Sequence, residues 1–95
     1  MTELLDQGAA AIAAAVRTGK VKARDVAEMA IARVEARNGQ LTAIVDFDPA
    51  EARASADAVD ARRRQGFDGA ILGVPYTVKD TTWVQGRTVT NGSLL

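Results

Sequence analysis

The chain contains 95 residues, which is enough for one domain at most. Lys and Arg total 12 and Asp and Glu total 12. The net charge is therefore zero, whereas a nucleic-acid-binding protein is expected to be basic. A zero net charge also gives no reason to expect a membrane partner. The sequence has no Cys and no His. This excludes disulfides, thiolate nucleophiles and His-based triads, so a catalytic base would have to be Lys, Asp, Glu or Tyr.

The N-terminal segment carries no targeting signal that we recognise. Its first ten residues, MTELLDQGAA, include acids but no Lys or Arg, unlike the basic start of a secretory signal. The longest apolar stretch, Ala9 to Val16, is far shorter than the roughly 20 residues that span a bilayer. We therefore expect a cytoplasmic protein.

A first helix is predicted over about Glu3 to Arg17. Most of its residues are Ala, the strongest helix former, and Gly19 follows at a position that suits a left-handed C-cap. Its apolar residues recur at helical spacing and would share one face: Leu5, Ala9, Ile12 and Val16.

A second helix is predicted over about Ala23 to Arg37, where apolar residues again recur at every fourth position. Its N-terminus is poorly marked, because Lys22 stands where a capping oxygen is expected. The pair Asn38-Gly39 is a good stop signal. The residues expected to face the core are Val26, Met29, Ala30, Ile31 and Val34.

Residues 41–47, LTAIVDF, predict a short strand or an extended connector. The third helix begins at the clearest signal in the chain, since Asp48 can act as N-cap and Pro49 suits the first helical position. This helix runs to about Gln65 and ends before Gly66. Three arginines lie in its last turn, where their positive charge interacts favourably with the helix dipole, so we do not interpret them as an RNA-binding site.

Residues 71–78, ILGVPYTV, form a nearly continuous apolar run that is typical of a strand covered on both faces. Such a strand needs neighbours, and parallel neighbours arrive through long crossover connections. We therefore expect residues 1–95 to be the N-terminal part of a larger domain, or a small protein whose strand pairs with another chain.

Lys79 directly follows this apolar run and is the candidate catalytic residue. Burial lowers the pKa of a Lys, and a neutral amine can act as a base. From the residues alone, there is also a non-catalytic interpretation, in which Lys79 pairs with Asp80 or extends into water. Asp80 can either orient the loop after Lys79 or be a solvated acid.

The tail of the sequence resembles the opening block of the amidase signature family. The resemblance rests on a Gly-x-Pro core, a Lys-Asp pair and a later Thr-x-Gly-Ser, namely Gly73, Val74, Pro75, Val78, Lys79, Asp80, Gly86, Thr90, Gly92 and Ser93. The upstream order of helices and the segment LTAIVDF are similar too. Thr81-Thr82-Trp83 and Asn91 depart from the usual pattern.

This resemblance implies an α/β fold, with N-terminal helices and the first strands of a mixed or parallel sheet sandwiched by helices. It implies an amidase that hydrolyses a carboxamide or urea-like C–N bond through an acyl-enzyme. Lys79 would be the base of a Ser–cis-Ser–Lys triad, whose serines lie outside this chain. No cofactor or metal is expected.

Two alternatives stay open at this stage: the amidase subunit of a tRNA-dependent amidotransferase, and a non-catalytic fragment that acts as an association module. The expected partners are a small amide substrate and the polypeptide that completes the sheet. A homo-oligomer is compatible with the sequence. The 95-residue chain by itself is expected to be inactive, because Ser55 and Ser93 are its only serines and Ser93 matches a non-nucleophilic position.

Overall fold

The computed structural model describes residues 2–80 and 82–87. Within them lie a 3₁₀ helix over Thr2–Gln7 and the α-helices α1 (Ala9–Arg17), α2 (Ala23–Leu41) and α3 (Pro49–Arg64). The three α-helices were predicted. The first is shorter than expected, because Gly8 has φ 95° and separates it from the 3₁₀ helix.

The C-terminus of α1 is closed by Gly19, as predicted. Gly19 has φ 77°, and its N–H donates to the carbonyl of Val16 over 3.1 Å. The N–H of Lys20 donates to the carbonyl of Ala15 over 2.9 Å. These two bonds form a Schellman motif, which satisfies carbonyls that the helix itself leaves free.

Helix α2 continues beyond its predicted end at Arg37 and reaches Leu41. The helix ends at Thr42, whose φ of 47° lies in the left-handed region. The pair Asn38-Gly39 predicts a helix end, but the helix does not stop there. Its side-chain amide donates to the carbonyl of Ile44 and accepts from the N–H of Ile44, both over 2.8 Å. Asn38 therefore fastens the following loop to the helix.

Both ends of α3 match the prediction. The side chain of Asp48 accepts from the N–H of Glu51 over 3.1 Å, and Pro49 occupies the first helical position. At the other end, Gly66 has φ 94°, and its N–H donates to Arg63 while the N–H of Phe67 donates to the carbonyl of Arg62. This second Schellman motif lets the chain reverse direction after the helix.

The N-terminus of α2 is capped from another helix, which the sequence did not predict. Asp60 of α3 accepts from the N–H of Ala23 over 2.7 Å and from the N–H of Arg24 over 3.1 Å. The side chain of Asp60 is buried although it is charged. A carboxylate is stabilised there because the free N–H groups and the helix dipole both favour negative charge.

A single core joins the three α-helices and the segment after α3. Its buried members are Ile12, Val16, Ala23, Val26, Met29, Ala56 and Leu72. Three predicted core residues are less covered than expected, since Ala9 is exposed while Ala30 and Val34 are partly buried.

Helices α2 and α3 are also joined by a network of charged side chains. Glu28 accepts from Arg53 over 2.9 Å and from Arg24 over 3.3 Å, and Arg24 also contacts Asp57 over 2.7 Å. The hydrogen bond from Arg53, with a smaller contribution from Arg24, lowers the pKa of Glu28. The network therefore holds Glu28 in its ionised form.

The predicted strands are not formed in the part of the chain that the structure describes. Residues 42–48 are irregular, and residues 70–73 form a turn that is followed by residues 74–79, which belong to neither a helix nor a strand. The described chain thus differs from the expected α/β architecture and is helical. The physical reason is that a strand is defined by hydrogen bonds to a neighbour, and no neighbouring strand lies among these residues.

None of the helices in the described residues combines the length and apolar character required to cross a bilayer.

Candidate functional site

The segment that carries Lys79 is anchored at its start. Leu72 is 6% exposed and lies in the core, while a turn is closed by the N–H of Val74, which donates to the carbonyl of Ile71 over 3.1 Å. Gly73 has φ 75°, and a Cβ built on it would lie 2.8 Å from Cγ2 of Val16. Only glycine allows this close approach.

Beyond this anchor, the chain lies on the surface. Tyr76 is 83% exposed and Val78 is 48% exposed, so the apolar run is not covered on two faces as predicted. Lys79 is exposed as well, and within the described residues it forms no ion pair. The carbonyl of Lys79 accepts from the N–H of Thr82 over 2.9 Å, which closes a turn. The structure thus places Lys79 at an exposed turn rather than at the end of a buried strand.

Lys79 lines neither of two surface clefts found among the described residues. One cleft, of about 280 Å³, lies between the C-termini of α1 and α3 and includes Arg17, Arg63 and Phe67. The other, of about 340 Å³, lies between the N-terminal segment and α2 and includes Asp6 and Arg33. Neither cleft therefore brings a substrate-sized cavity to Lys79.

The far end of the segment is held by Arg87, which the sequence did not single out. Its guanidinium donates from Nη1 to Oδ2 of Asp46 over 3.0 Å and from Nη2 to Oε2 of Glu51. The hydrogen bond with Asp46 raises the pKa of Arg87, and the charges of Glu51 and Asp48 act in the same direction. Arg87 therefore joins three parts of the chain: the loop after α2, the first turn of α3 and the segment after Lys79.

The remaining candidate residues separate into described and undescribed ones. Asp80 is half-buried, and Ser55 lies exposed on α3. Thr90, Gly92 and Ser93, which belong to the family pattern, lie outside the described residues. Over residues 2–80 and 82–87, no group of three or more Asp and Glu side chains is placed to hold a metal ion.

Two of the arginines at the end of α3 contact neighbouring parts of the chain. The guanidinium of Arg62 lies over the ring of Phe67, with 5.7 Å between its central carbon and the ring centroid. Arg63 packs against Gly19 at the end of α1. Both observations agree with arginines that stabilise helix ends, as the sequence predicts for this last turn.

Comparison with known protein families shows to which family the chain is related. The sequence profile of the Amidase family matches residues 25–95, which include most of α2, all of α3 and the segment around Lys79. The chain belongs to the amidase family. The resemblance carried by Gly73, Pro75, Lys79 and Asp80 is therefore confirmed at the level of the family.

Similar curated proteins include members of two kinds of enzyme. The chain is 40% identical over 84 residues to a glutamyl-tRNA(Gln) amidotransferase subunit of Alkalilimnicola ehrlichii, covering 88% of this chain and 17% of that protein. It is 36% identical over 94 residues to the corresponding subunit of Streptomyces coelicolor, covering 98% and 19%. It is 38% identical over 79 residues to AtzE, a 1-carboxybiuret hydrolase subunit of Pseudomonas sp. strain ADP, covering 82% and 17%.

The chain thus spans less than one fifth of the length of these relatives. No solved structure matches it at a significant level.

Proposed function

We propose that this chain supplies the general base of an amidase-type hydrolase, and that Lys79 is that base. The observation that carries the proposal is the Gly73–Ser93 pattern, which lies within the profile match over residues 25–95. The relative AtzE, whose name describes part of a hydrolase, supports hydrolysis of a C–N bond. The close packing of Gly73 against Val16 supports a fixed starting point for the segment that leads to Lys79.

The proposed chemistry begins with a neutral Lys79 amine. It takes a proton from a serine hydroxyl held in a cis peptide bond, and that serine takes a proton from a second serine. The second serine attacks the carbonyl carbon of the amide, and the C–N bond breaks as the proton taken up by Lys79 passes back through the first serine to the leaving amine. Water then releases the acid from the acyl-enzyme and regenerates the serine. Both serines would come from polypeptide other than residues 1–95.

The surroundings of Lys79 set a condition on this mechanism. A lysine acts as a base only when it is neutral, and removal from water favours the neutral amine. Because Lys79 is exposed in this chain, further polypeptide must cover it before it can act. We therefore expect no amide hydrolysis from the purified 95-residue chain, and measurable turnover by it would contradict this mechanism.

The test is a substitution in the protein made from the complete reading frame that contains these residues. Lys79→Ala should reduce amide hydrolysis by about a hundredfold or more, since removal of a proton-transfer group typically has that effect. Lys20→Ala is the matched control, because Lys20 is also exposed and follows the C-cap of α1. Near-normal turnover by Lys79→Ala would refute the assignment.

A second candidate is the amidase component of an amidotransferase. It is favoured by the names of the relatives in Alkalilimnicola ehrlichii and Streptomyces coelicolor, both of which are glutamyl-tRNA(Gln) amidotransferase subunits. Glutamine-dependent amide formation on glutamyl-tRNA(Gln), observed only when partner subunits are present, would favour this function. Hydrolysis of a small amide without partners would favour the first.

The exposed apolar side chains support a partner polypeptide in either case. Ile71, Tyr76 and Trp83 are 69%, 83% and 84% exposed, respectively. An association module without catalysis would use the same surface. Mass spectrometry of the purified protein under non-denaturing conditions would detect a second chain on it. Binding together with full activity of Lys79→Ala would favour the association module.

A further inference from the structure

The segment that contains Lys79 is fixed at two points of different chemistry. At its start, Leu72 and Gly73 pack against the core formed by α1 and α2. At its end, Arg87 forms ion pairs with Asp46 and Glu51. Residues 74–86 between these points are called the Lys79 loop below.

The interior of the Lys79 loop has little apolar anchoring. Tyr76 and Trp83 are more than four-fifths exposed. Among the described residues of the loop, the backbone hydrogen bonds are local: the N–H of Thr82 donates to the carbonyl of Lys79, and the N–H of Arg87 donates to the carbonyl of Val84. We therefore expect the contacts at its two ends to influence the path of the loop.

The two ion pairs of Arg87 fix the orientation of its guanidinium. Arg87 side-chain exposure is 29%, and its planar guanidinium uses two nitrogen atoms for carboxylates on two separate segments. A guanidinium that satisfies two acceptors from different directions has a defined orientation, which a single flexible lysine cannot match. Asp48, which caps α3, adds a third negative charge nearby.

We propose that the cluster of Arg87, Asp46 and Glu51 positions the Lys79 loop, so that Arg87 is a positioning residue for the reaction proposed above. This inference rests on the proposed function for its catalytic consequence. Its structural consequence, a loop held against α3 and the loop after α2, does not depend on catalysis. The two consequences are tested separately.

The structural test uses endoproteinase Lys-C on the 95-residue chain. The sequence contains three lysines, Lys20, Lys22 and Lys79, so cleavage after each can be followed by mass spectrometry. Arg87→Gln should accelerate cleavage after Lys79 by about two- to tenfold, the range expected for loss of two exposed ion pairs. Cleavage after Lys20 and Lys22 should be unchanged, because they lie between α1 and α2.

The matched control is Arg53→Gln, which removes an arginine whose ion pair with Glu28 lies between α2 and α3. It should not accelerate cleavage after Lys79 relative to the other two lysines. Asp46→Asn provides a second variant with a smaller effect in the same direction as Arg87→Gln. High salt should bring wild-type cleavage after Lys79 closer to that of Arg87→Gln, because exposed ion pairs are screened.

Two outcomes would overturn the structural proposal. Unchanged cleavage after Lys79 in both Arg87→Gln and Asp46→Asn would show that the ion pairs do not hold the loop. Equal acceleration at all three lysines would mean that the variant unfolds as a whole rather than opening locally.

The catalytic test uses the protein from the complete reading frame. Arg87→Gln should lower kcat about tenfold or more with little change in KM, because misplacement of a catalytic group by about an ångström has large effects on rate. Arg87→Lys should recover part of kcat, and the pH profile should keep its shape because the base is unchanged. An unchanged kcat would overturn the positioning role. Full activity of Lys79→Ala would instead refute the proposed function and leave the proteolysis result standing.

Discussion

Replacement of Gly73 by alanine tests the packing that anchors the Lys79 loop. The new Cβ would lie 2.8 and 3.0 Å from the two γ-carbons of Val16 and 3.3 Å from Cβ of Ala23. Val16 is fully buried, so its γ-carbons have little room to move. The φ of 75° adds strain for any residue with a side chain.

The expected magnitude follows from these two contributions. A left-handed backbone costs a non-glycine residue about 1–2 kcal/mol, and overpacking in a close-packed interior costs about 1–3 kcal/mol. Gly73→Ala should therefore lower the free energy of unfolding by about 2–5 kcal/mol. Gly66→Ala separates the contributions, because Gly66 has φ 94° but nothing within 4 Å of its Cβ position, so only the backbone strain applies.

The assay is urea unfolding followed by circular dichroism at 222 nm. Gly39→Ala completes the series, since Gly39 lies in α2 with open space around its Cβ position, and it should raise stability by about 0.5–1 kcal/mol. In a Gly73→Ala background, Val16→Ala should cost less than in the wild type, because the added Cβ would occupy part of the space that is vacated. Equal losses for Gly73→Ala and Gly66→Ala would refute the predicted steric conflict.

Three further changes test the contacts between helices. Asp60→Ala leaves the N–H groups at the start of α2 without their acceptor and should lower stability by about 2 kcal/mol, measured by thermal unfolding. Glu28→Gln should flatten the acid limb of the stability curve: its lowered pKa gives stability that is fully present above the unfolded value of about 4.3 and is lost as pH falls through the folded pKa. Asn38→Ala should speed amide hydrogen exchange at Ile44 by about fivefold, because one hydrogen bond contributes about 1 kcal/mol.

Helix ends were predictable where the signal lies within a few residues of the end. Asp48 and Pro49 begin α3, and Gly19 and Gly66 end α1 and α3, as their local chemistry requires. Asn38 behaves differently. An asparagine before a glycine is a stop signal on average, but here its amide is satisfied by Ile44 and the helix continues to Leu41.

The start of α2 shows how a tertiary contact can replace a local signal. Lys22 offers no capping oxygen, and its own N–H is accepted by Asp25 over 3.2 Å. The next two N–H groups are accepted by Asp60, far along the chain. The sequence contained an indirect sign of this contact, since Asp60 follows Ala56 by one helical turn and so lies on the apolar face of α3. The uncapped N-terminus of α2 and the acid on the apolar face of α3 therefore satisfy each other.

The family was predictable from the residues around Lys79, but the surroundings of Lys79 were not. The pattern around Lys79 identified the family correctly, because such motifs record chemistry that does not depend on local folding. The Arg87 cluster has no comparable sequence signal, since its acceptors Asp46 and Glu51 are distant in the chain and exposed acids are common.

The exposure of residues 75–79 likewise depends on contacts that are not local in the sequence. An apolar run specifies that the segment is stabilised by burial, but burial requires atoms on both sides, and Leu72 and Val74 use those that α1 and α2 provide. Further along, the helices no longer lie beneath the chain, so Tyr76 and Val78 remain in contact with water. If a partner polypeptide covers them, their burial should make the Lys79 loop less sensitive to salt than it is in the 95-residue chain. The proteolysis experiment, repeated with the complete reading frame, would measure that change directly: a salt response equal to that of the isolated chain would contradict coverage of the loop.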